Sequence, residues 1–206
     1  MFTANILRGP LVAAALALPG LSGAAISPAL SETVRQLAQA QSQNLEAIFQ
    51  QVHANPELAF QLDETAALVA KKLKKMGYKV HTGIAQTGLA AVLKNGEGPV
   101  IMFRSDMDAL PVKEDSGLPY ASKKQVTLDD GSSQYVSHAC GHDAHTAWLL
   151  GIAKVMMETR DSWSGTLVLV GQPAEELIAG AQAMVDDGLY DKVPELSLIH
   201  ISEPTR

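Results

Sequence analysis

Apolar residues recur at helical spacing in four stretches of the chain. The stretches are residues 31–52, 63–76, 144–158 and 177–187. Ser31 and Glu32 form the predicted N-terminal cap of the first stretch, and Gly77 and Gly188 follow the second and the fourth, where helices commonly end. The pattern therefore predicts four helices, with the lysines of the second one on a solvent-exposed face.

Short β-prone segments lie between these helices and are bounded by Gly, Asn or Pro. They span residues 78–82, 88–94, 99–104 and 165–170. The first three follow one another with turns such as Asn95-Gly96 between them, and the fourth is largely apolar, as expected of a buried strand. Helices that alternate with strands predict an α/β fold with a largely parallel central sheet.

The first 25 residues differ in composition from the rest of the chain. Arg8 is their only charged residue, an Ala/Leu/Val run occupies residues 11–18, and small residues follow at 22–25. This arrangement is typical of a signal peptide rather than of a buried N-terminal helix, and we place its cleavage after Ala24 or Ala25. The sequence thus predicts a periplasmic or secreted protein without a stable membrane anchor.

Composition limits which class of protein this chain can belong to and which partners it can bind. The chain has 206 residues, of which 47% are apolar and 18% charged, which fits one folded domain rather than a disordered chain. A net charge of −6 without a basic stripe excludes nucleic acid as a predicted partner. Cys140 is the single cysteine, so no disulfide can form within the chain. Its thiol is therefore an inert side chain, a nucleophile or a metal ligand.

Three polar segments stand where an α/β sheet places ligands, near the ends of its strands. They are residues 104–108, 138–145 and 172–176. The second contains Cys140 and His142, whose thiolate and imidazole are suitable donors for zinc or a similar divalent ion. Both can turn toward one point only in a loop or at the start of a helix. Asp143 is placed to hydrogen-bond a ligand imidazole.

Glu175 and Glu176 are adjacent carboxylates after a proline. In a turning segment they point in different directions, so one can bind a metal while the other takes a proton from the water that the metal activates. The alternative is that the pair begins a helix and complements its dipole. Asp106 and Asp108 are either turn formers or site residues, and their alternation along the chain lets at most one of them reach a metal directly.

Taken together, these segments resemble a known family. The matching residues are 103–111, 137–145, 165–176 and His53-Ala54-Asn55-Pro56-Glu57-Leu58. They are similar to the dimetal amidohydrolases that include hippurate hydrolase and the plant auxin-conjugate hydrolases, within the aminoacylase and carboxypeptidase family. The resemblance covers residues 31–194. It implies a zinc-exopeptidase-like three-layer α/β/α sandwich and hydrolysis of amide bonds in N-acyl amino acids or small peptides.

The resemblance also implies roles for individual residues. The expected ligands of two divalent ions (Zn, Mn, Ni or Co) are Cys140, His142 and Glu176. Glu175 is the expected general acid/base, and Asp108 is expected to hold the ligands in place without touching a metal. Asp106 stands where related peptidases carry a metal-binding His. No role is transferred to the histidines His138, His145 and His200.

The end of the chain has a different origin in this interpretation. Residues 196–206 resemble an in-frame translation of a library-preparation adapter, so we predict a non-native tail. The predicted organisation is a signal peptide at 1–25, the N-terminal part of a catalytic metallohydrolase domain at 26–195, and this tail. The resemblance implies a longer, homodimeric parent that supplies further ligands and an inserted dimerisation or lid domain. The chain alone is expected to be inactive.

Two other classes of function remain open on the residues alone. A cysteine amidase would use Cys140 as its nucleophile and His142 or His138 as its base. A non-catalytic protein that binds a metal or a peptide would need the same donors without turnover. Removal of metal separates the first from a metallohydrolase, and the effect of Glu175→Gln separates the second.

Overall fold

The computed structural model describes residues 26–127 and 130–196. The predicted signal peptide at 1–25 and residues 197–206 of the predicted tail lie outside this part of the chain. Within the described ranges, no helix combines the length and the apolar character that a membrane crossing requires.

The described residues form six α-helices and six β-strands. The helices are α1 Pro28–Ala40, α2 Ser42–Ala54, α3 Asp63–Lys75, α4 His142–Glu158, α5 Gly180–Asp186 and α6 Leu189–Lys192. The strands are β1 Lys79–Ile84, β2 Gly88–Asn95, β3 Val100–Asp106, β4 Gln125–Thr127, β5 Ser133–Tyr135 and β6 Gly165–Gln172. The four predicted strands are confirmed as β1, β2, β3 and β6, and a small β4–β5 hairpin lies in the stretch between β3 and α4.

Two helices replace the single one predicted for residues 31–52, because the chain breaks at Gln41 between α1 and α2. The predicted cap at Ser31 was wrong. Ser27 caps α1, since its hydroxyl accepts a hydrogen bond from the Leu30 amide at 3.2 Å. Pro28, which has no amide hydrogen to satisfy, opens the helix.

The main sheet has the strand order β1-β2-β6-β3. β2 runs antiparallel to both β1 and β6, and only β3 and β6 are parallel. The predicted α/β class is confirmed, but the prediction of a largely parallel sheet was wrong for the described strands. The connections explain the difference: residues 85–87 are too few for a crossover and make a hairpin, whereas residues 107–164 contain α4 and cross over to a parallel strand.

A hydrophobic core lies on each face of this sheet. Leu167 and Leu169 of β6 pack with residues of α2, α3 and α4, whereas Val168 and Val170 pack with Met184 of α5 and Leu189 of α6. Side chains alternate between the two faces of a strand, which produces this division. The arrangement confirms the three-layer α/β/α sandwich that the resemblance implied.

Tyr78 ties the end of α3 to the middle of α4. Its side chain is 4% exposed, and its hydroxyl donates a hydrogen bond to the Ala153 carbonyl at 3.0 Å. Burial raises the pKa of Tyr78 well above the ordinary value of 10.0. The phenol is therefore held in its protonated form inside the helical layer.

β3 forms one edge of the sheet. Its inner side pairs with β6 up to the partners Asp106 and Gln172, and no described strand pairs with its outer side. Ile101 on this strand is 57% exposed. Because β3 and β6 are parallel, their carboxyl ends meet, and the polar residues that follow both strands are delivered to the same end of the sheet.

Candidate metal centre

Asp108 joins the segments that follow β3 and β6. Its carboxylate accepts hydrogen bonds from the Glu175 amide at 3.1 Å and from the Glu176 amide at 3.0 Å. Only 1% of the residue is exposed. Burial acts to raise the pKa of Asp108, but hydrogen bonds from His142 and from these amides outweigh it and lower the pKa below its ordinary value. Asp108 is therefore an ionised anchor beneath the glutamate pair.

His142 begins α4 with one ring nitrogen already committed. Nδ1 donates a hydrogen bond to the Asp108 carbonyl at 2.8 Å and lies 3.3 Å from the Asp108 carboxylate. Nε2 is left to take a proton or a cation, and it lies 3.7 Å from Oε2 of Glu175. Burial acts to lower the pKa of His142, but its contacts with Asp108 and the charge of Asp106 raise it to about 9. The same negative surroundings favour a metal cation.

Gly141 makes the turn in the backbone between Cys140 and His142. It has a φ of +80°, in the left-handed region, and it is the residue before the first turn of α4. A Cβ at this position would meet no atom within 4 Å, so the backbone conformation, not crowding, calls for glycine. The predicted placement of the Cys/His pair at a helix start is confirmed.

Cys140 is exposed and faces the glutamate pair. The neighbouring Glu176 carboxylate, burial and the charges of Glu175 and Asp108 raise the pKa of Cys140 to about 11. A cysteine nucleophile acts as the thiolate, so these neighbours disfavour a cysteine amidase. A divalent cation would instead take the place of the thiol proton.

A turn, not a helix, carries Glu175 and Glu176. The Ile178 amide donates a hydrogen bond to the Glu175 carbonyl at 2.7 Å, and α5 begins only at Gly180. The alternative in which the pair begins a helix was therefore wrong, and so was the predicted helical conformation of residues 177–179. In this turn the two carboxylates keep oxygen atoms within 4.8 Å of each other, and their side chains differ in exposure, 43% for Glu175 and 14% for Glu176.

Gly180 closes this turn at its base. The Gln172 side-chain oxygen accepts a hydrogen bond from the Ala174 amide, and the Gly180 amide donates one to the Ala174 carbonyl at 2.9 Å. A Cβ on Gly180 would come within 3.0 Å of both the Gln172 oxygen and the Ala174 nitrogen. The turn that presents the glutamates therefore leaves no room for a side chain here.

Two groups of side chains within the described ranges bring ligand atoms to within 4.8 Å of one another. The groups are His142 with Glu175 and Glu176, and Asp106 with His142 and His145. The Cys140 thiol belongs to neither group, although it contacts Glu176. Oε1 of Glu176 is buried and has no hydrogen-bond partner among the described residues. A lone buried carboxylate oxygen, a histidine and a nearby thiol fit a divalent cation.

His145 and Asp106 lie close to this centre, although their sequence motifs did not predict that both would. The rings of His145 and His142 stack with centroids 5.2 Å apart, because residues three apart on α4 share a face. Asp106 ends β3 and pairs with Arg104 at 3.2 Å. The His-x-x-His spacing at the start of a helix was the signal that indicated this neighbour in the sequence.

Asp143 and His138, which the sequence analysis also named, belong to neither group. Asp143 was expected to hydrogen-bond a ligand imidazole, and that was wrong: His53 donates to it at 2.6 Å. His138 is buried, and neither of its ring nitrogens has a hydrogen-bond partner in the described ranges. Burial lowers the pKa of His138 to about 4. His200 lies outside the described residues.

Comparison with known proteins identifies the family. A profile of the peptidase family M20/M25/M40 matches residues 102–206. The chain belongs to this family. The M20 chain is 48% identical over 148 residues to hippurate hydrolase of Campylobacter jejuni, which covers 71% of this chain and 36% of that protein. It is 41% identical over 150 residues to N-acetyl-L-cysteine deacetylase of Bacillus subtilis, with coverages of 72% and 34%.

Solved structures agree with this membership. The M20 chain matches an aminohydrolase from methicillin-resistant Staphylococcus aureus with a TM-score of 0.70 and 35% identity, over 79% of this chain and 40% of that one. It matches the YXEP protein of Bacillus subtilis, described as a dinuclear metal binding peptidase of the M20 family, with a TM-score of 0.66 and 35% identity, over 75% and 42%. The chain spans about a third of the length of the curated relatives it matches. The family expected from the sequence is confirmed.

Proposed function

We propose that the full-length protein carrying this M20 chain hydrolyses the amide bond of N-acyl amino acids or small peptides, with divalent metal ions as cofactors. The observation that carries this proposal is the convergence of His142, Glu175 and Glu176, with the Cys140 thiol on Glu176. Relatives support the reaction, since they are named hippurate hydrolase and N-acetyl-L-cysteine deacetylase. The YXEP neighbour supports a pair of metal ions.

In this proposal the metal ligands of the chain are Cys140, His142 and Glu176, with zinc, manganese, nickel or cobalt as the ion. Divalent ions bound there would act as a Lewis acid on the amide carbonyl and would lower the pKa of the attacking water to about 7. Asp108 keeps His142 oriented through Nδ1, so that Nε2 faces Glu175. Cys140 would bind the ion as its thiolate, so metal affinity would rise with pH.

Glu175 is the proposed general acid/base. Its side chain is 43% exposed against 14% for Glu176, so it is the carboxylate that can exchange a proton with water and substrate. It takes a proton from the attacking water and passes it to the amide nitrogen as the C–N bond breaks, which yields a carboxylic acid and an amine. The Asp108 carboxylate fixes its backbone amide during both transfers.

The proposed setting of the enzyme follows the sequence. The composition of residues 1–25 supports export to the periplasm or the medium after signal cleavage, without a membrane anchor. The net charge of −6 supports a small-molecule substrate rather than a nucleic acid. A homodimeric parent, with further ligands and an inserted dimerisation or lid domain, completes the proposal. The isolated chain would then be inactive.

Glu175→Gln in the full-length protein tests the role of this carboxylate. We expect kcat for hippurate hydrolysis to fall by about 10²- to 10⁴-fold while metal content stays unchanged, because a general base is lost and no ligand is removed. Glu158→Gln, which changes an exposed carboxylate on α4, is the matched control and should keep full activity. A Glu175→Gln enzyme with undiminished kcat would refute the assignment.

Metal removal separates the proposal from its two rivals. Dialysis against a chelator should abolish hydrolysis, and added Zn²⁺, Mn²⁺, Ni²⁺ or Co²⁺ should restore it. Cys140→Ala should lower metal content. A cysteine amidase would keep its activity in chelator, and a non-catalytic binding protein would show no turnover of acyl amino acids with any of these metals.

A further inference from the structure

His53 stands between two carboxylates from distant parts of the chain. It lies near the end of α2, and its Nδ1 donates a hydrogen bond to Oδ2 of Asp143 at 2.6 Å. Its Nε2 donates another to Oε1 of Glu114 at 2.9 Å. The side chains of His53 and Glu114 are 12% and 9% exposed, and that of Asp143 is 2% exposed. The three residues therefore form a buried bridge, with His53 as its centre.

The His53 ring is hydrogen-bonded to both carboxylates at once. Ionised carboxylates only accept hydrogen bonds, so both ring nitrogens carry protons and the ring is positively charged. Burial acts to lower the pKa of His53, but the bonds to Glu114 and Asp143 outweigh it and raise the pKa. Phe49 and Tyr120 hold the ring in place, with centroids 5.5 and 5.2 Å from it.

One arm of the bridge ends at the start of the metal-binding helix. Asp143 follows His142 directly, and its other oxygen accepts a hydrogen bond from the Ala144 amide at 2.8 Å in the first turn of α4. A shift of Asp143 would therefore move His142, which has to meet Glu175 and Glu176 with its ring. This arm acts on the position of a predicted metal ligand without touching the metal.

The other arm ends in the loop that connects β3 to β4. Glu114 accepts hydrogen bonds from the Ser122 amide and the Ser116 hydroxyl, so it organises residues 114–122 around itself. The loop, His53 and residues 137–139 line an open depression of about 320 Å³. Ala139 of its lining precedes Cys140 in the chain, so the depression borders the segment that carries two of the predicted ligands. Its shape depends on where Glu114 is held.

We propose that His53 is a positioning residue of the active site, which fixes the start of α4 to the loop at 114–122 so that the metal ligands and the neighbouring depression keep one relative placement. The depression receives one end of the acyl amino acid substrate. This proposal rests on the proposed function. It assigns the two arms different effects: the Asp143 arm sets metal affinity, and the Glu114 arm sets substrate affinity.

The test uses the full-length protein, Co²⁺ as the probe and hippurate as the substrate. His53→Phe keeps an aromatic ring between Phe49 and Tyr120 but removes both hydrogen bonds. We expect it to weaken Co²⁺ binding by about 10- to 100-fold, the usual effect of losing a partner that supports a metal ligand, and to raise KM. Absorption of the Co²⁺–thiolate bond reports metal binding independently of turnover.

Glu114→Gln separates the arms. It should raise KM several-fold and leave the Co²⁺ affinity within about threefold of wild type, because the Asp143 arm is intact. His81→Phe is the matched control, since it removes a half-buried imidazole from β1, which carries none of the site residues. It should change neither quantity. If His53→Phe does not fold, His53→Gln, which can keep one of the two hydrogen bonds, replaces it. This variant should show at least one of the two defects, weaker Co²⁺ binding or a higher KM.

Wild-type Co²⁺ affinity and wild-type KM in the His53 variants would overturn the proposal while leaving the hydrolase assignment standing. Equal effects of His53→Phe and His81→Phe would overturn it as well, because they would show a general loss of packing. A wild-type protein that binds no Co²⁺ and hydrolyses no acyl amino acid would instead remove the proposed function, and this inference with it.

Discussion

At the scale of single residues, Asp108 contacts His142 and the backbone amides of Glu175 and Glu176, although it belongs to neither candidate ligand group. It accepts hydrogen bonds from two successive amides and from His142, which needs an ionised carboxylate in a buried position. A buried charge is stable only when its hydrogen-bonding capacity is used in this way. Asp108 therefore holds the candidate ligands in position and takes no part in metal binding itself.

Tyr78 allows a residue-scale prediction about pH. The folded protein keeps the Tyr78 phenol protonated, because burial raises its pKa, whereas the unfolded chain loses the proton near pH 10. The stabilisation is complete below about pH 10 and is lost as the pH rises toward the folded-state pKa. We expect Tyr78→Phe to lower the free energy of unfolding by about 1 kcal/mol at neutral pH, where its hydrogen bond to Ala153 is lost.

The difference between wild type and Tyr78→Phe should narrow above about pH 10, as measured by urea unfolding followed by circular dichroism. Tyr190→Phe, at a half-exposed tyrosine, serves as the control and should parallel wild type throughout. A difference that stays constant from neutral to strongly alkaline pH would show that burial of the phenol has no part in the stability.

The candidate metal ligands were predictable from the sequence, whereas the contact between His53 and Glu114 was not. Cys140, His142 and the glutamate pair stand out because few side chains bind metals and they occur close together. His53 and Glu114 are 61 positions apart and belong to common residue types, so their contact exists only once α2 and the loop after β3 are packed. No local pattern encodes such a pair.

At the scale of elements, the turn between β6 and α5 has a stricter shape than its sequence suggests. It is closed by the Gln172 side chain and by Gly180, and it holds Ile178 at a φ of +54°, a costly conformation for a β-branched residue. Strain of this kind persists only where the surroundings fix it, and here they place two carboxylates on one histidine.

Gly180→Ala tests this turn. The added methyl group would overlap the Gln172 oxygen and the Ala174 nitrogen, so we expect a loss of about 1–3 kcal/mol in the free energy of unfolding and weaker Co²⁺ binding. Gly151→Ala, inside α4, is the matched control: its methyl group meets only the flexible end of Leu45, and alanine favours the helix. Equal effects of the two substitutions on Co²⁺ affinity would contradict the role of the turn.

Apolar periodicity predicted which elements exist but not how they pair. It located α3, α4 and the four strands of the sheet, because each buries one face or both. It missed the break at Gln41, where the apolar pattern continues through both helices. It also missed the antiparallel direction of β2, since the same apolar strand can pair in either direction and only the length of the connections decides.

At the scale of the whole molecule, the candidate metal centre brings together the chain segments that follow the two parallel strands, β3 and β6. Its members come from the end of β3, the start of α4 and the turn after β6. A cation held by these parts would stabilise the folded state, because the unfolded chain does not bring them together. At a free concentration one hundred times the Kd the gain is about 2.7 kcal/mol.

Zn²⁺ or Co²⁺ should therefore raise the Tm of the full-length protein, and a chelator should reverse the rise. Cys140→Ala and Glu176→Gln should reduce this shift, whereas Glu97→Gln, at an exposed turn, should leave it unchanged. The measurement is differential scanning fluorimetry across a metal titration. A shift of the same size in the Cys140→Ala variant would remove the thiol from the ligand set.

The exposed margin of β3 affects how a short version of this molecule will behave in solution. No described strand pairs with its outer side, and a strand at the edge of a sheet is where another chain can add a strand. Residues 26–195 produced alone would therefore tend to self-associate at high concentration through this margin. A dimer formed in this way would report strand addition at β3 and not the assembly of a longer chain.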